Sequence, residues 1–180
     1  MEVTPTDLPE VLLIRPRIHA DDRGFFLETY NEQRYAEAGI HTRFVQDNHS
    51  KSAQGVLRGL HYQIEHPQAK LVWVVAGQIW DVAVDVRPGS RTFGRWAAAT
   101  LDAVSKHQFF VPEGFAHGFC VLSETAEVIY KCSDVYRPSD EGGVVFDDPE
   151  LAIEWPITDP ILSAKDRNLP LLSRAELPLR

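Results

Sequence analysis

The stretch Leu71-Val72-Trp73-Val74-Val75-Ala76-Gly77-Gln78-Ile79-Trp80-Asp81-Val82-Ala83-Val84-Asp85-Val86 decides the fold class. Residues 71–75 and 79–86 are runs rich in β-branched side chains, separated by Ala76-Gly77-Gln78, and they predict a β-hairpin. Alternation along the second run puts Trp80, Val82, Val84 and Val86 on one face, with Asp81 and Asp85 on the other. Outward from this pair the rhythm continues, as short apolar runs broken by Gly, Pro, Asp and Asn. Strands are expected near residues 24–30, 56–63, 93–101, 108–111, 118–122, 128–135 and 143–146. So many closely spaced strands predict an all-β sandwich or barrel. Helix is scarce. Asn31 caps a short one running through Ala38, with Gly39 as its left-handed terminator. The Pro-rich tail from Asp147 is expected to wrap over the sheets.

The chain has 180 residues, the size of one domain with a real hydrophobic core, and no linker, repeat or low-complexity segment divides residues 1–180. A hydrophobic fraction of 44% with 24% charged residues excludes disordered and fibrous classes. The formal charge is −8 without a basic run, so nucleic acid is not expected as a partner. An acidic protein that binds an anion needs a local cluster of Arg and Lys. Cys120 and Cys132 stand in apolar stretches and read as buried, reduced thiols. No apolar stretch approaches the roughly 20 residues needed to span a bilayer, and the N-terminus, Met1-Glu2-Val3-Thr4-Pro5, has no basic segment followed by an apolar run, so the expectation is a cytoplasmic protein with no signal peptide and no membrane contact.

Leu57-Arg58-Gly59-Leu60-His61-Tyr62 places a cation and an imidazole on one strand. Strict alternation sends Arg58 and His61 to opposite faces, and a bulge at Gly59 is predicted to turn both inward. Pro112-Glu113-Gly114-Phe115-Ala116-His117-Gly118-Phe119 reads as a turn and then a strand beginning at His117. Its Pro-x-Gly-x-x-His spacing resembles half of the metal signature of the cupin barrels. The matching place for the other half reads His61-Tyr62-Gln63, so the second histidine is missing, and Val121 stands where an Asn is usual. The barrel is therefore expected without a metal, which leaves the imidazoles free for proton transfer or hydrogen bonding. Alone, Lys70 reads as a snorkelling surface lysine or, alternatively, as an inward ammonium beside a developing oxyanion. Tyr130, on the face of Val128 and Cys132, alone reads as a core aromatic. Ser163-Ala164-Lys165-Asp166 reads as a local turn or helix start.

Six segments in order carry a resemblance: Asp22-Arg23-Gly24-Phe25-Phe26-Leu27-Glu28, Phe44-Val45-Gln46-Asp47-Asn48-His49-Ser50, Val56-Leu57-Arg58-Gly59-Leu60-His61, Gln68-Ala69-Lys70-Leu71-Val72, the Pro112 to Phe119 segment, and Leu162-Ser163-Ala164-Lys165-Asp166. From about Leu8 to Leu172 the chain closely resembles the dTDP-4-dehydrorhamnose 3,5-epimerases of dTDP-rhamnose biosynthesis. The resemblance implies a cupin-like jelly-roll barrel with short peripheral helices, a homodimer, a dTDP-sugar substrate, and no metal or organic cofactor. It implies that His61 is the catalytic base and Asp166 the carboxylate that orients it. Lys70 is implied to lie beside the C4 oxygen, and Tyr130 to donate a proton on the opposite face of the sugar. Arg23, Glu28, Gln46, Asn48, Arg58, His117, Glu141 and Lys165 match positions that hold the nucleotide diphosphate and sugar, some of them acting in the partner subunit. Trp73 departs from the family, which often has Arg there, and alternation puts it on the face opposite Lys70 and Val72.

The implied substrate has a ketone at C4, so the hydrogens on C3 and C5 are both α to a carbonyl. Removing either gives an enolate with its charge largely on the C4 oxygen. A histidine serves as base near neutral pH, a carboxylate fixes its tautomer, and a cation stabilises the enolate. Inversion requires the proton to return from the opposite face, so a second group across the ring is needed. A relative that acts at C3 or C5 alone, or a ketoisomerase, shares the scaffold and is the alternative reading. A metal-dependent cupin is disfavoured by Gln63, and a non-catalytic binding module has no need of His61, Lys70, Tyr130 and Asp166 together.

Overall fold

The computed structural model describes residues 1–178. β1 (Glu2–Pro5), β2 (Leu12–Arg15), β3 (Ile18–Asp21) and β4 (Gly24–Leu27) come first, followed by helix α1 (Glu32–Glu37). Four longer strands follow, β5 (Gln46–Ala53), β6 (Leu57–Gln63), β7 (Lys70–Ala76) and β8 (Gln78–Asp85). β9 (Trp96–Asp102), β10 (Gln108–Val111), β11 (Phe115–Val121), β12 (Thr125–Cys132) and β13 (Glu141–Gly143) complete the sheets, and α2 (Ala164–Arg167) lies in the tail. One sheet has the order β1-β2-β10-β7-β12-β5 and the other β13-β6-β11-β8-β9, while β3 and β4 pair only with each other. The two large sheets form the jelly roll that the family resemblance implied.

Three apolar layers hold it together. Val72, Val74, Ile79, Phe109, Phe115, Phe119 and Val128, drawn from both sheets, fill the space between them. Val82, Val84, Val86, Leu60 and Ala116 lie on the other side of the five-stranded sheet, where the tail covers them with Leu151, Leu172 and Trp155. Tyr35 of α1 joins Ile14, Leu71, Trp73 and Phe110 on the outside of the six-stranded sheet. Trp73 thus faces away from Val72, as alternation required. Even-numbered residues of β8 meet the tail, and odd-numbered Ile79, Asp81 and Ala83 point between the sheets.

The predicted hairpin does not form, because β7 and β8 belong to different sheets. Gly77 makes a corner between them at a φ of +78°, where an added Cβ would stand 2.0 Å from the Thr125 carbonyl oxygen. Both strands are mostly buried, and each finds its partners within its own sheet: β7 lies between β10 and β12, and β8 between β11 and β9. Local pattern records that two strands follow one another, not that they pair. Smaller differences are of extent. The strand expected at 24–30 ends at Leu27, and β11 starts at Phe115 rather than at His117. β1, β2, β3 and β5 were not expected; β5 alternates polar side chains on both faces and lacks an apolar signature. The Asn31 side chain accepts from Arg34 N, and α1 ends before left-handed Gly39, both as predicted.

Candidate functional site

The bulge expected at Gly59 exists. Along β6 and β11, His61 pairs with His117 and Arg58 with Phe119, so Gly59 and Leu60 together oppose Gly118. Gly59 has a φ of +122°, and a Cβ there would lie 2.6 Å from the Gly118 Cα. Only glycine fits, and the extra residue turns Arg58 and His61 to the same cleft. That cleft has two compartments of about 300 and 230 Å³, and His61, Lys70 and Tyr130 line both. His61 comes from the five-stranded sheet, whereas Lys70 at the start of β7 and Tyr130 in β12 come from the six-stranded sheet. The imidazole and the phenol therefore stand on opposite walls.

His61 Nε2 lies 2.6 Å from Asp166 Oδ1. Asp166 is nearly buried, and its backbone N–H donates to the Ser163 hydroxyl at 3.0 Å, the N-cap of α2. The capped turn aims the carboxylate at the imidazole from 105 residues away. Burial works to raise the Asp166 pKa, but the hydrogen bond and charge of His61, with smaller hydrogen-bond contributions from the Ser163 side chain and the Gly59 backbone, outweigh it and hold the carboxylate below its ordinary range. Burial pushes the Lys70 ammonium below the usual lysine value, and nearby Cys132, Asp81 and Glu141 draw it back up. Burial pushes the Tyr130 phenol up, which favours the protonated form that can donate.

The binding residues divide into three groups. Gln46, Asn48 and Glu141 line the larger compartment, where Gln46 Nε2 donates to Asn48 Oδ1 at 3.1 Å. Arg58, His117 and Lys165 line the smaller one. There Arg58 Nε donates to Ser52 Oγ at 3.0 Å, and Lys165 is ion-paired with Glu141. Arg23 and Glu28 lie elsewhere. Arg23 sits at the β3–β4 turn, exposed and paired with Asp21 at 2.5 Å, and Glu28 pairs with Arg34 at 3.0 Å. Among the described residues of one chain, the cations at the cleft are therefore Arg58, Lys70 and Lys165, without Arg23.

Some residues of the site carried no role in the sequence reading. Asp81 is fully buried, and its two carboxylate oxygens lie 2.9 and 3.0 Å from His117 Nε2. Burial raises the Asp81 pKa and lowers that of His117, because it penalises charge on either. The signal for Asp81 was its inward face in an apolar strand, where a carboxylate needs a partner. Tyr136 reaches the larger compartment and donates to Glu141 at 2.5 Å, but nothing in the sequence around it marks it.

The positions that match the cupin metal halves are committed to other partners. His61 Nε2 holds Asp166, and His117 Nε2 holds Asp81. Gln63 donates to the His66 and Val135 carbonyls and accepts from Arg137 N. Among the described residues, the three-residue grouping with metal-ligand spacing is Glu65, His66 and Asp140, outside the cleft lining. There the Asp140 carboxylate already accepts the Glu65 and His66 backbone N–H groups and clasps a loop.

Comparison with known proteins matches this geometry to one family. The family model described as dTDP-4-dehydrorhamnose 3,5-epimerase matches residues 5–174. A dTDP-4-dehydrorhamnose 3,5-epimerase from Pseudomonas aeruginosa is 54% identical over 169 residues, covering 93% of this chain and 93% of the relative. One from Neisseria gonorrhoeae is 53% identical over 92% of this chain, which spans about half (51%) of that relative's length. The crystal structure of a dTDP-6-deoxy-D-glucose-3,5-epimerase from Legionella pneumophila, in complex with dTDP-4-keto-L-rhamnose, superposes with a TM-score of 0.96 at 48% identity, covering 99% of this chain and 98% of that one.

Proposed function

This chain belongs to the dTDP-4-dehydrorhamnose 3,5-epimerase family, and from that premise we propose how its cleft performs the reaction. The chain is an isomerase that epimerises C3 and C5 of dTDP-4-dehydro-6-deoxy-D-glucose to give dTDP-4-dehydro-L-rhamnose. His61 takes the proton from the carbon next to the C4 ketone. Asp166, acceptor of the other end of the contact at 2.6 Å, fixes the tautomer and stabilises the imidazolium that forms. Charge moves to the C4 oxygen, where Lys70 supplies the cation, an interaction in the class that lowers a barrier by roughly 3–4 kcal/mol. Tyr130 returns a proton from the opposite wall, which inverts the centre. Each task falls to a side chain of this protein.

The observation that carries the reading is the placement of His61 and Tyr130 on opposite sheets with both facing one cleft. Its test is His61→Ala. Solvent exchange at the sugar carbons and inversion should fall together by at least about 10²-fold, with dTDP binding kept. Exchange that persists at the wild-type rate would remove His61 from the base role.

The diphosphate is held by Arg58 and Lys165, whose positive charge offsets the overall −8. We assign Arg23 and Glu28 to the cleft of a second subunit in a homodimer. Among the described residues the β3–β4 ribbon, which carries Arg23 and leads into Glu28, pairs with no other strand, and it exposes Phe25 (58%) and Phe26 (71%), an apolar surface that a partner would cover. No helix among the described residues is long and apolar enough to cross a membrane. A cytoplasmic setting agrees with Cys120 and Cys132 being free and buried.

A further inference from the structure

The inner face of β5 is a row of polar side chains, Gln46, Asn48, Ser50 and Ser52, at every second residue. Three of the four are engaged. Gln46 Oε1 accepts from Tyr136 N at 2.9 Å, Asn48 Nδ2 donates to Cys132 Sγ at 3.5 Å, and Ser52 Oγ accepts from Arg58 Nε at 3.0 Å. Ser50 Oγ is buried and has no hydrogen-bond partner, the single side-chain oxygen or nitrogen of that kind among the described residues. Folded proteins rarely leave a buried hydroxyl unpaired, since it forfeits its bonds to water without replacement. The exceptions call for a functional explanation.

Position supplies one. Ser50 lines the smaller compartment together with Arg58, His117 and Lys165. It lies on β5 between Asn48, which pairs with Tyr130, and Ser52, which holds Arg58. The hydroxyl therefore sits between the proposed proton donor and the guanidinium, in the compartment whose cations hold the diphosphate in the reading above. Arg58 spends its Nε on Ser52, and its two terminal nitrogens make no hydrogen bond to the described residues, so that edge of the guanidinium is left for an anion. A serine hydroxyl has three staggered positions, and no hydrogen bond locks Ser50 Oγ in the one it occupies.

We propose that Ser50 is a further substrate-binding residue, whose hydroxyl donates to a diphosphate oxygen beside Arg58 and Lys165. The inference rests on the reading of the cleft as a dTDP-sugar site. It accounts for an unpaired hydroxyl in the free protein, because the missing acceptor arrives with the ligand.

Ser50→Ala separates this role from a structural one. The variant without ligand should melt at or above the wild-type temperature, since no bond within the protein is lost. Its dissociation constant for dTDP and its KM for the dTDP-sugar should both rise by about tenfold, with the loss falling on KM more than on kcat. Unchanged dTDP affinity overturns the proposal, whatever the melting temperature does. If Ser50→Ala does not fold, the wild-type protein crystallised with dTDP decides. Ser50 Oγ within about 3 Å of a phosphate oxygen supports the proposal, and an Oγ with no phosphate oxygen in hydrogen-bond reach overturns it. Wild-type protein that neither binds dTDP nor turns over the dTDP-sugar would instead remove the underlying reading.

Discussion

The donor role proposed for Tyr130 rests on one oxygen atom. Its ring packs against the core between the sheets, so Tyr130→Phe keeps the packing and deletes the hydroxyl alone. His61 can still remove a proton, so solvent exchange at C3 should continue, while inversion slows by about 10²-fold. An NMR time course that records both rates from one sample checks this, and equal loss of the two would argue against a donor role. Residue chemistry was the part of the site most open to reading from sequence. His61, Lys70, Tyr130 and Asp166 were all singled out, and the structure brings the four to one cleft. Lys70, read in isolation, was as good a surface lysine as an active one, because strand alternation gives a face and not what lies across from it. Asp81 was marked in the sequence only as an inward carboxylate without a named partner, and Ser50 not at all, for a related reason. A buried carboxylate and an unpaired hydroxyl are defined by their neighbours, and those neighbours, His117 and Arg58, come from other strands.

Between residue and fold stand the elements that aim these groups. The β6 bulge carries both Arg58 and His61, and it depends on Gly59. Gly59→Ala meets the Gly118 Cα at 2.6 Å at a φ that side chains resist. Since backbone rather than a flexible side chain is struck, the expected cost is ~2–4 kcal/mol, with activity lost in whatever fraction still folds. Denaturant unfolding checks it, and a variant of wild-type stability would mean that β6 relaxes freely there. The bulge was legible because two polar residues of one task stood on either side of a glycine. The hairpin at Gly77 was misread through the same kind of signal. A glycine between two apolar strands marks a sharp turn of the chain, and whether the strands then pair or part is settled by the rest of the barrel. β5 escaped notice because its residues are polar on both faces, one toward solvent and one toward the cleft, so no apolar period exists to detect.

At the scale of the whole molecule, one chain brings the proposed base, cation, donor and most of the proposed binding groups to its cleft, but Arg23 and Glu28 lie outside it. If they serve a partner's site, two defective chains can repair each other. A mixture of Arg23→Ala and His61→Ala protomers, dissociated and reassembled together, should be more active than either variant alone, because the mixed dimer contains one site with every residue intact. Activity no higher than that of the better parent would place Arg23 in its own chain's site or in none. Chain-to-chain placement of this kind leaves no trace in a single sequence, whose periodicity reports burial but not which copy does the burying. The activity itself is tested most directly with the wild-type protein and dTDP-4-keto-6-deoxyglucose in deuterated water, following C3 and C5 by NMR. A base, an enolate-stabilising cation and an opposed donor acting at both centres predict deuterium at C3 and at C5, with inversion at each. Deuterium at one carbon alone would contradict the double epimerisation, and none at either would contradict proton abstraction by this cleft.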